Sequence, residues 1–321
     1  MTQFDVFNGD ADGICALQQL RLVQPAPDST LITGVKRDIA LVKRINATLG
    51  DHLTILDISF DKNRDALLPL LDAGAQVTYY DHHFAGDIPE HANLTTHIDT
   101  QAETCTSLIV NQQLKQQHWL WAAAGAFGDN FDNSALSLFS THSHAYTQDD
   151  IKLIKNLGIY INYNAYGATP SDLHITPEKL FYALNPYANP LNFIRENDTY
   201  QLLENGYQED SEKAKALTAE FITEAHALYL LPADPWARRV SGVFANELAQ
   251  QAPARAHALV TQLPEGGYMV SVRAPLNTRE GADELCRQFA TGGGRKAAAG
   301  INKLPESELP TFISAFQAAY P

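Results

Sequence analysis

The chain has 321 residues, 45% of them hydrophobic and 19% charged, with a formal net charge of −14. That is the composition of a soluble globular protein long enough for two domains, and its acidity argues against a surface that tracks a long polyanion, which needs a basic groove. Cys15, Cys105 and Cys286 are odd in number and far apart, no apolar run could span a bilayer, and the start MTQFDVFNGD lacks the basic and apolar segments of a secretion signal, so the expected setting is a reducing cytoplasm away from membranes.

The first eighty-odd residues alternate between two patterns. FDVF reads as a buried strand, GICALQQLRLVQ as a helix, TLITGV as a strand and IALVKRINATL as a helix; then HLTILDI reads as a strand, KNRDALLPLLDAG as a helix and AQVTYYD as a strand. Strands alternating with helices predict right-handed βαβ units, hence an α/β fold with a mostly parallel, doubly wound sheet. From about residue 103 the text turns helical through ETCTSLIVNQQLKQQ, LWAAAGAFGDN, DDIKLIKNLGIYINY and PEKLFYALNPY. DSEKAKALTAEFITEAHALYLL reads as one long amphipathic connector helix ended by PADP. Beyond it, WARRVSGVFA, ARAHALVTQLPEGGYMVSVRAP and ADELCRQFATGGGRKAAAGINK suggest strands, a hairpin turning at Gly266-Gly267, a helix and a glycine-rich loop, with a last helix in ESELPTFISAFQAAY. The expected division is a first domain over 1–195, a connector over 196–235 and a smaller α/β domain over 236–321.

Ligands of parallel sheets sit beyond the carboxyl ends of the strands, and three such ends here carry acids or histidines: Asp10 and Asp12, Asp57, and Asp81-His82-His83. Asp129 follows the small-residue run AAAGAFG. Each piece has an ordinary alternative, since Asp-Gly is a common turn and Asp a common helix cap. Together, carboxylates drawn from separate segments into one crevice need a counter-charge. Oxygen-rich ligands with one imidazole, from Asp10, Asp12, Asp57, His82 and Asp129, suit Mn²⁺ or Mg²⁺ better than structural zinc. His142 and His144 lie in the polar stretch THSHAYTQDD and read as a surface loop, the aromatics of YINYNAYG read as core, and Trp119 and Trp121 read as packing.

In order along the chain, NGDADG, LDIS, YYDHH and FGDN resemble the four motifs of the DHH phosphoesterases, and ETCTSLIV is similar to the Ser/Thr-bearing helix of many members. GGGRKAAAG, from Gly292 to Gly300, and the preceding VSVRAP resemble the associated DHHA1 domain, whose signature is GGGHxxAAG. The resemblance implies that the first domain is catalytic and the last substrate-binding, with the active-site cleft between them, and it implies two Mn²⁺ ions, with Mg²⁺ or Co²⁺ as substitutes. Asp10 and Asp12 would each serve one ion and Asp57 would bridge them. His82 and Asp129 would complete the ligands of the second ion, Asp81 would orient the histidines and His83 would face the scissile phosphate. Val6 stands where many members have His, and Asn8 where exonuclease-like relatives have an extra Asp, so the first ion would be held more weakly, with Asn8 or water filling in. Gly292, Gly293 and Gly294 would let the backbone approach a phosphate, with Arg273 and Arg295 beside them as substrate-binding residues; Arg295 replaces the signature His.

The function so implied is hydrolysis of dinucleotides such as pGpG, or very short RNA, to mononucleotides through a water activated between two metals. Removal of the 3′-phosphate from adenosine 3′,5′-bisphosphate and cleavage of cyclic dinucleotides are the alternatives, and a non-catalytic nucleotide sensor is a third. Long nucleic acid and membranes are not expected partners; a homodimer is compatible with the sequence.

Overall fold

Gln3–Phe7 forms strand β1, and Ala11–Val23 forms helix α1. β2 (Thr30–Thr33), β3 (His52–Leu56), α2 (Phe60–Asp72), β4 (Gln76–Asp81) and β5 (Leu94–Ile98) follow. Next come α3 (Thr106–Gln113), α4 (Trp119–Gly128), α5 (Asp132–His142), α6 (Gln148–Asn164), α7 (Pro177–Leu184), α8 (Pro190–Glu196) and α9 (Asp198–Lys215). The chain ends with β6 (Phe221–Ile222), β7 (His226–Leu231), α10 (Pro235–Gln251), β8 (Ala256–Gln262), β9 (Tyr268–Arg273), α11 (Ala282–Cys286), β10 (Gly292–Arg295), β11 (Ala298–Leu304) and α12 (Leu309–Ala319). This computed structural model describes residues 1–142 and 146–321, so His144 lies outside the described residues. Two compact units divide within α9, the first Met1–Asn205 and the second Gly206–Pro321.

In the first unit, five parallel strands run in the order β2-β1-β3-β4-β5. The alternation of side chains along each strand sorts the apolar residues onto two faces. Val6, Leu53, Ile55, Val77 and Tyr79 pack with Phe60, Leu67 and Leu71 of α2. The opposite face is covered by α1, whose residues from Ala11 to Arg21 are all buried. A helix buried all round needs close neighbours, and small residues supply them: a Cβ on Gly128 would stand 2.3 Å from that of Ala11, and one on Gly158 would stand 2.1 Å from the Ala124 carbonyl. The AAAGAFG run thus wedges α4 between α1 and α6. Asp5, buried in β1, accepts from Arg21 Nε at 2.8 Å and from Ser29 Oγ at 2.7 Å, so this interior charge is paired.

The second unit holds a six-stranded sheet in the order β10-β11-β9-β8-β7-β6, antiparallel except for β7 with β8. Val260, Val270, Val272 and Ile301 share one core with Phe312, Phe316 and Tyr320 at the carboxyl end. The β8–β9 hairpin turns at Gly266 and Gly267, with φ of +86° and +81°. This is the turn that the Gly-Gly pair predicts.

Several local expectations are overturned. IALVKRINATL holds only a 3₁₀ turn at Val42–Arg44; Asn63 of α2 gives its amide to Ile39 O and accepts from Val42 N, replacing helical hydrogen bonds. The expected connector helix stops at Lys215, and Phe221–Ile222 and His226–Leu231 pair as strands. Their β-branched and aromatic residues outweigh Glu220 before them and Glu224 between them. WARRVSGVFA, expected as a strand, lies in α10, which starts with Pro235 directly after Asp234, as Pro at the first helical position favours. Gly292–Arg295 and Ala298–Leu304 are two paired strands, not a glycine-rich loop. His142 is not in a loop: it ends α5 and stacks on Trp119, ring centroids 4.8 Å apart. No helix among the described residues is long and apolar enough to cross a membrane.

Candidate metal centre

The strand order reverses beside β1: the chain steps from β1 out to β2, then crosses back to β3 on its other side. A crevice at such a switch point is where parallel sheets take ligands. Asn8, Asp10 and Asp12 follow β1, Asp57 follows β3, Asp81, His82 and His83 close β4, and Asp129 ends α4.

Asp10 caps α1, its Oδ1 accepting from Asp12 N at 3.0 Å and Gly13 N at 3.1 Å. Asp12 lies in the first turn of α1 and is held from another direction: Thr106 N donates to its Oδ2 and Ser107 N to its Oδ1, both at 2.7 Å. Its carboxylate thus caps α3, where helix-end amides favour negative charge. Asp57 takes a left-handed backbone, φ +59°, a conformation disfavoured outside glycine and tolerated best by Asn and Asp. Its Oδ1 accepts from Thr106 Oγ1 at 3.1 Å. Asp129 is the C-cap of α4, and Asn130 follows with φ +66°; Phe131 N returns to Ala126 O at 2.8 Å, closing the helix end.

The two histidines are oriented by their Nδ1 atoms. His82 Nδ1 donates to the Thr104 carbonyl at 3.2 Å, which leaves Nε2 toward the carboxylates. That Nε2 stands 3.4 Å from Asp57 Oδ1, 3.9 Å from Asp12 Oδ2 and 3.8 Å from Asp129 Oδ2. His83 Nδ1 donates to Asp81 Oδ1 at 2.7 Å, and the same oxygen accepts from His82 N. Asp81 is fully buried and its other oxygen takes Phe60 N at 3.3 Å.

Charge is the tension of the site. Burial first, then Asp10, Asp12, Asp129 and Asp81, push the Asp57 carboxyl well above its ordinary range. Burial also raises Asp129, a rise that Lys36 opposes and Asp10 and Asp12 reinforce. Burial works to raise Asp10 too, but Lys36 and the Gly13 amide outweigh it and hold that carboxyl low. Burial lowers His83, yet its bond to Asp81 prevails and raises it.

Asp12, His82 and Asp129 form one group whose ligand atoms lie within 4.8 Å of one another; Asp57, His82 and His83 form another. Adjacent ligands of an octahedral ion with bonds near 2.1 Å are roughly 3 Å apart, so the separations around His82 need only a small contraction. Hard carboxylates, one ring nitrogen and an uncompensated negative charge fit a divalent ion of the Mn²⁺ or Mg²⁺ kind.

Lys36 escapes a reading of the sequence. Its Nζ sits among Asp10 Oδ2 at 2.5 Å, Asn162 Oδ1 at 2.9 Å and Asp129 Oδ1 at 3.2 Å, with the Tyr166 ring 5.6 Å away. The one signal was a Lys-Arg pair after the only strand of the first three that ends without an acid. Asn8 is engaged elsewhere: Oδ1 accepts from Asp10 N at 3.2 Å and Nδ2 donates to Lys36 O at 3.2 Å. Phe84, next to His83, is 76% exposed.

The expected substrate residues lie in the second unit. Arg273, at the end of β9, donates through Nε to Asn246 Oδ1 at 2.7 Å and through a terminal nitrogen to its neighbour Val272 O at 3.2 Å. Gly292, Gly293 and Gly294 form β10 with Arg295, which is exposed. A Cβ on Gly292 would fall 1.7 Å from Cys286 O, and Gly294 has φ +143°; Gly293 has nothing within 4 Å of such a Cβ. Two of the three glycines are therefore required by the fold.

The sequence matches no protein-family model and no curated protein. Solved structures do match in fold. An exonuclease RecJ bound to manganese is 18% identical over 99% of this chain and 91% of that one, with a TM-score of 0.62. RecJ of Thermus thermophilus in complex with Mn²⁺ is 19% identical with a TM-score of 0.66, and this chain, matched over 99% of its length, spans about half (52%) of that longer one. The pGpG-specific phosphodiesterase PggH of Vibrio cholerae is 13% identical over 99% of this chain and 98% of that one, with a TM-score of 0.55. The fold is that of the DHH/DHHA1 proteins, the family that the motifs resemble.

Proposed function

We propose that the chain is a metal-dependent phosphodiesterase that hydrolyses dinucleotides such as pGpG, or very short oligoribonucleotides, to mononucleotides, with Mn²⁺ as its working ion. The observation that carries this reading is the meeting of Asp12, Asp57, His82 and Asp129 from four separate elements at the strand-order reversal. A fold gains nothing in stability from crowding carboxylates there; a divalent ion resolves the conflict. The solved structures of similar fold include a manganese-bound nuclease and a pGpG phosphodiesterase.

Divalent metal at such a centre polarises phosphoryl oxygens and lowers the pKa of a bound water. The chain's own residues do the rest. His83, kept protonated by Asp81 over a wider pH range than a free imidazole, offers its Nε2 proton to a phosphoryl or leaving-group oxygen. The exposed Phe84 ring beside it provides a stacking face for a nucleobase. Arg273, Arg295 and the glycine strand are the substrate-binding surface of the second unit, where a guanidinium can bind phosphate bidentately. The net charge of −14 favours a short substrate over a long one.

The test is turnover with Mn²⁺ or with EDTA on 5′-phosphorylated dinucleotides, adenosine 3′,5′-bisphosphate and cyclic dinucleotides, following product release. Mononucleotides released from pGpG only with metal are the expected result. Tight binding with no cleavage of any of these would replace the enzyme by a nucleotide sensor.

A further inference from the structure

The carboxylate cluster already contains one cation. Lys36 Nζ has three protons and meets three acceptors, Asp10 Oδ2, Asn162 Oδ1 and Asp129 Oδ1, at 2.5, 2.9 and 3.2 Å. Its loop is pinned to β1 through the Asn8 carboxamide, and Lys36 N donates to Ala165 O at 2.9 Å. A long, flexible side chain held at head and backbone is a built feature, since ordering a lysine costs about 2 kcal/mol of side-chain entropy.

Asp129 divides its two oxygens: Oδ1 faces Lys36 and Oδ2 faces His82 Nε2 at 3.8 Å. It therefore lies between the Lys36 ammonium on one side and the group around His82 that could hold an ion on the other. Asp10 turns Oδ2 to the Lys36 ammonium, while its Oδ1 accepts from the amides of Asp12 and Gly13. Val6, on β1, points into the core against α2 and offers no ligand. Among the described residues, the groups able to hold an ion share His82 and exclude Asp10.

We propose that Lys36 is a resident cation of the centre, standing between Asp10 and Asp129 in place of a second divalent ion, so that the chain takes a single ion on Asp12, Asp57, His82 and Asp129. The inference rests on the metal-centre reading above and changes its stoichiometry. Lys36 then serves as a positioning residue that fixes Asp129, and its fixed charge lies beside the ion without having to be loaded.

Counting ions without substrate tests this. Mn²⁺ titration by calorimetry, with electron paramagnetic resonance at saturation, should give one ion per wild-type chain and the signal of an isolated Mn²⁺. Lys36→Met, which keeps length and removes charge, should admit a second ion at least ~10-fold more tightly than wild type does, with an exchange-coupled signal. Two ions of similar affinity in the wild type, or none, would overturn the proposal whether or not the variant folds. A variant that binds one ion and keeps full turnover would also overturn it, because the ammonium would then neither exclude an ion nor replace one; one ion with turnover lost would support it. A wild-type chain that binds one Mn²⁺ but cleaves no nucleotide removes the functional reading alone, whereas cleavage with two bound ions removes this inference alone.

Discussion

In the first unit β1, β3 and β4 lead into buried acids and oriented imidazoles, whereas in the second unit the glycine strand β10 leads into the exposed cations Arg295 and Lys296. In the first unit the acids and imidazoles of the cluster are each anchored by at least one hydrogen bond, and the conflict that remains is one of net charge. In the second, the glycine strand answers to the fold at Gly292 and Gly294, so the proposed contact with substrate is to be tested at Gly293 and the exposed Arg295. Chemistry needs fixed groups in a low-dielectric pocket, while holding one end of a varied substrate tolerates a solvated surface. Substitutions in the two units should therefore differ in which kinetic constant they move.

The largest effect belongs to the first unit. Asp57→Asn, which tolerates the same left-handed backbone, and His82→Ala should each lower turnover at least ~10²–10³-fold while circular dichroism shows a folded chain; near-wild-type turnover by either would dissolve the contrast. Next comes the charge conflict itself. Because Asp57 and Asp129 are raised in the folded state, their stabilising contribution is present below 3.8 and is lost as pH rises through their folded values. His83 acts in the same direction, its contribution complete below 6.5 and lost above its raised value. The metal-free protein should thus melt at a lower temperature at pH 8 than at pH 5.5. Mn²⁺ at about 100 times its dissociation constant should add about 2.7 kcal/mol, roughly 5–10 °C at neutral pH; a metal-free melting temperature that climbs with pH would contradict this electrostatic picture.

Smaller effects sharpen the distinction. Phe84→Ala should raise KM by ~10-fold, the scale of one base stacked on an aromatic ring, without changing the melting temperature. Arg295→Ala should raise KM by ~3–10-fold and leave kcat alone, as loss of uniform binding does; a fall confined to kcat would move Arg295 into the chemistry. Gly293→Ala should change stability by less than ~1 kcal/mol, since its Cβ meets nothing. A rise in KM for that variant would show that a ligand approaches the strand, and an unchanged KM would reduce β10 to scaffold.

Much of the first unit was legible in the sequence. Buried parallel strands are short apolar runs, and acids directly after them stand out. Lys36 did not, because a lysine after a strand is ordinarily solvated; only the order β2-β1-β3, a property of the whole sheet, sets the end of β2 beside that of β1. Asn162 was hidden in the same way, inside an aromatic stretch that reads as core. In the second unit the Gly-Gly hairpin was visible, but EFITEAHALYLL carries helix-forming Glu and Ala among strand-forming Phe, Ile and Tyr, and pairing within the six-stranded sheet decides between them. The glycines of β10 look like a loop in sequence because glycine weakens strands in general; here contact with the Cys286 carbonyl makes it obligatory at Gly292.

Thr104, Thr106 and Ser107 have a consequence of their own. This short segment bonds His82 through the Thr104 carbonyl, Asp57 through the Thr106 hydroxyl, and Asp12 through two backbone amides. It works as a jig that sets the spacing of three candidate ligands from three strand ends, and it does so with neutral groups. Loading should then proceed with little rearrangement of the backbone, and exchange of the Thr106 and Ser107 amide hydrogens should be slow with or without the ion.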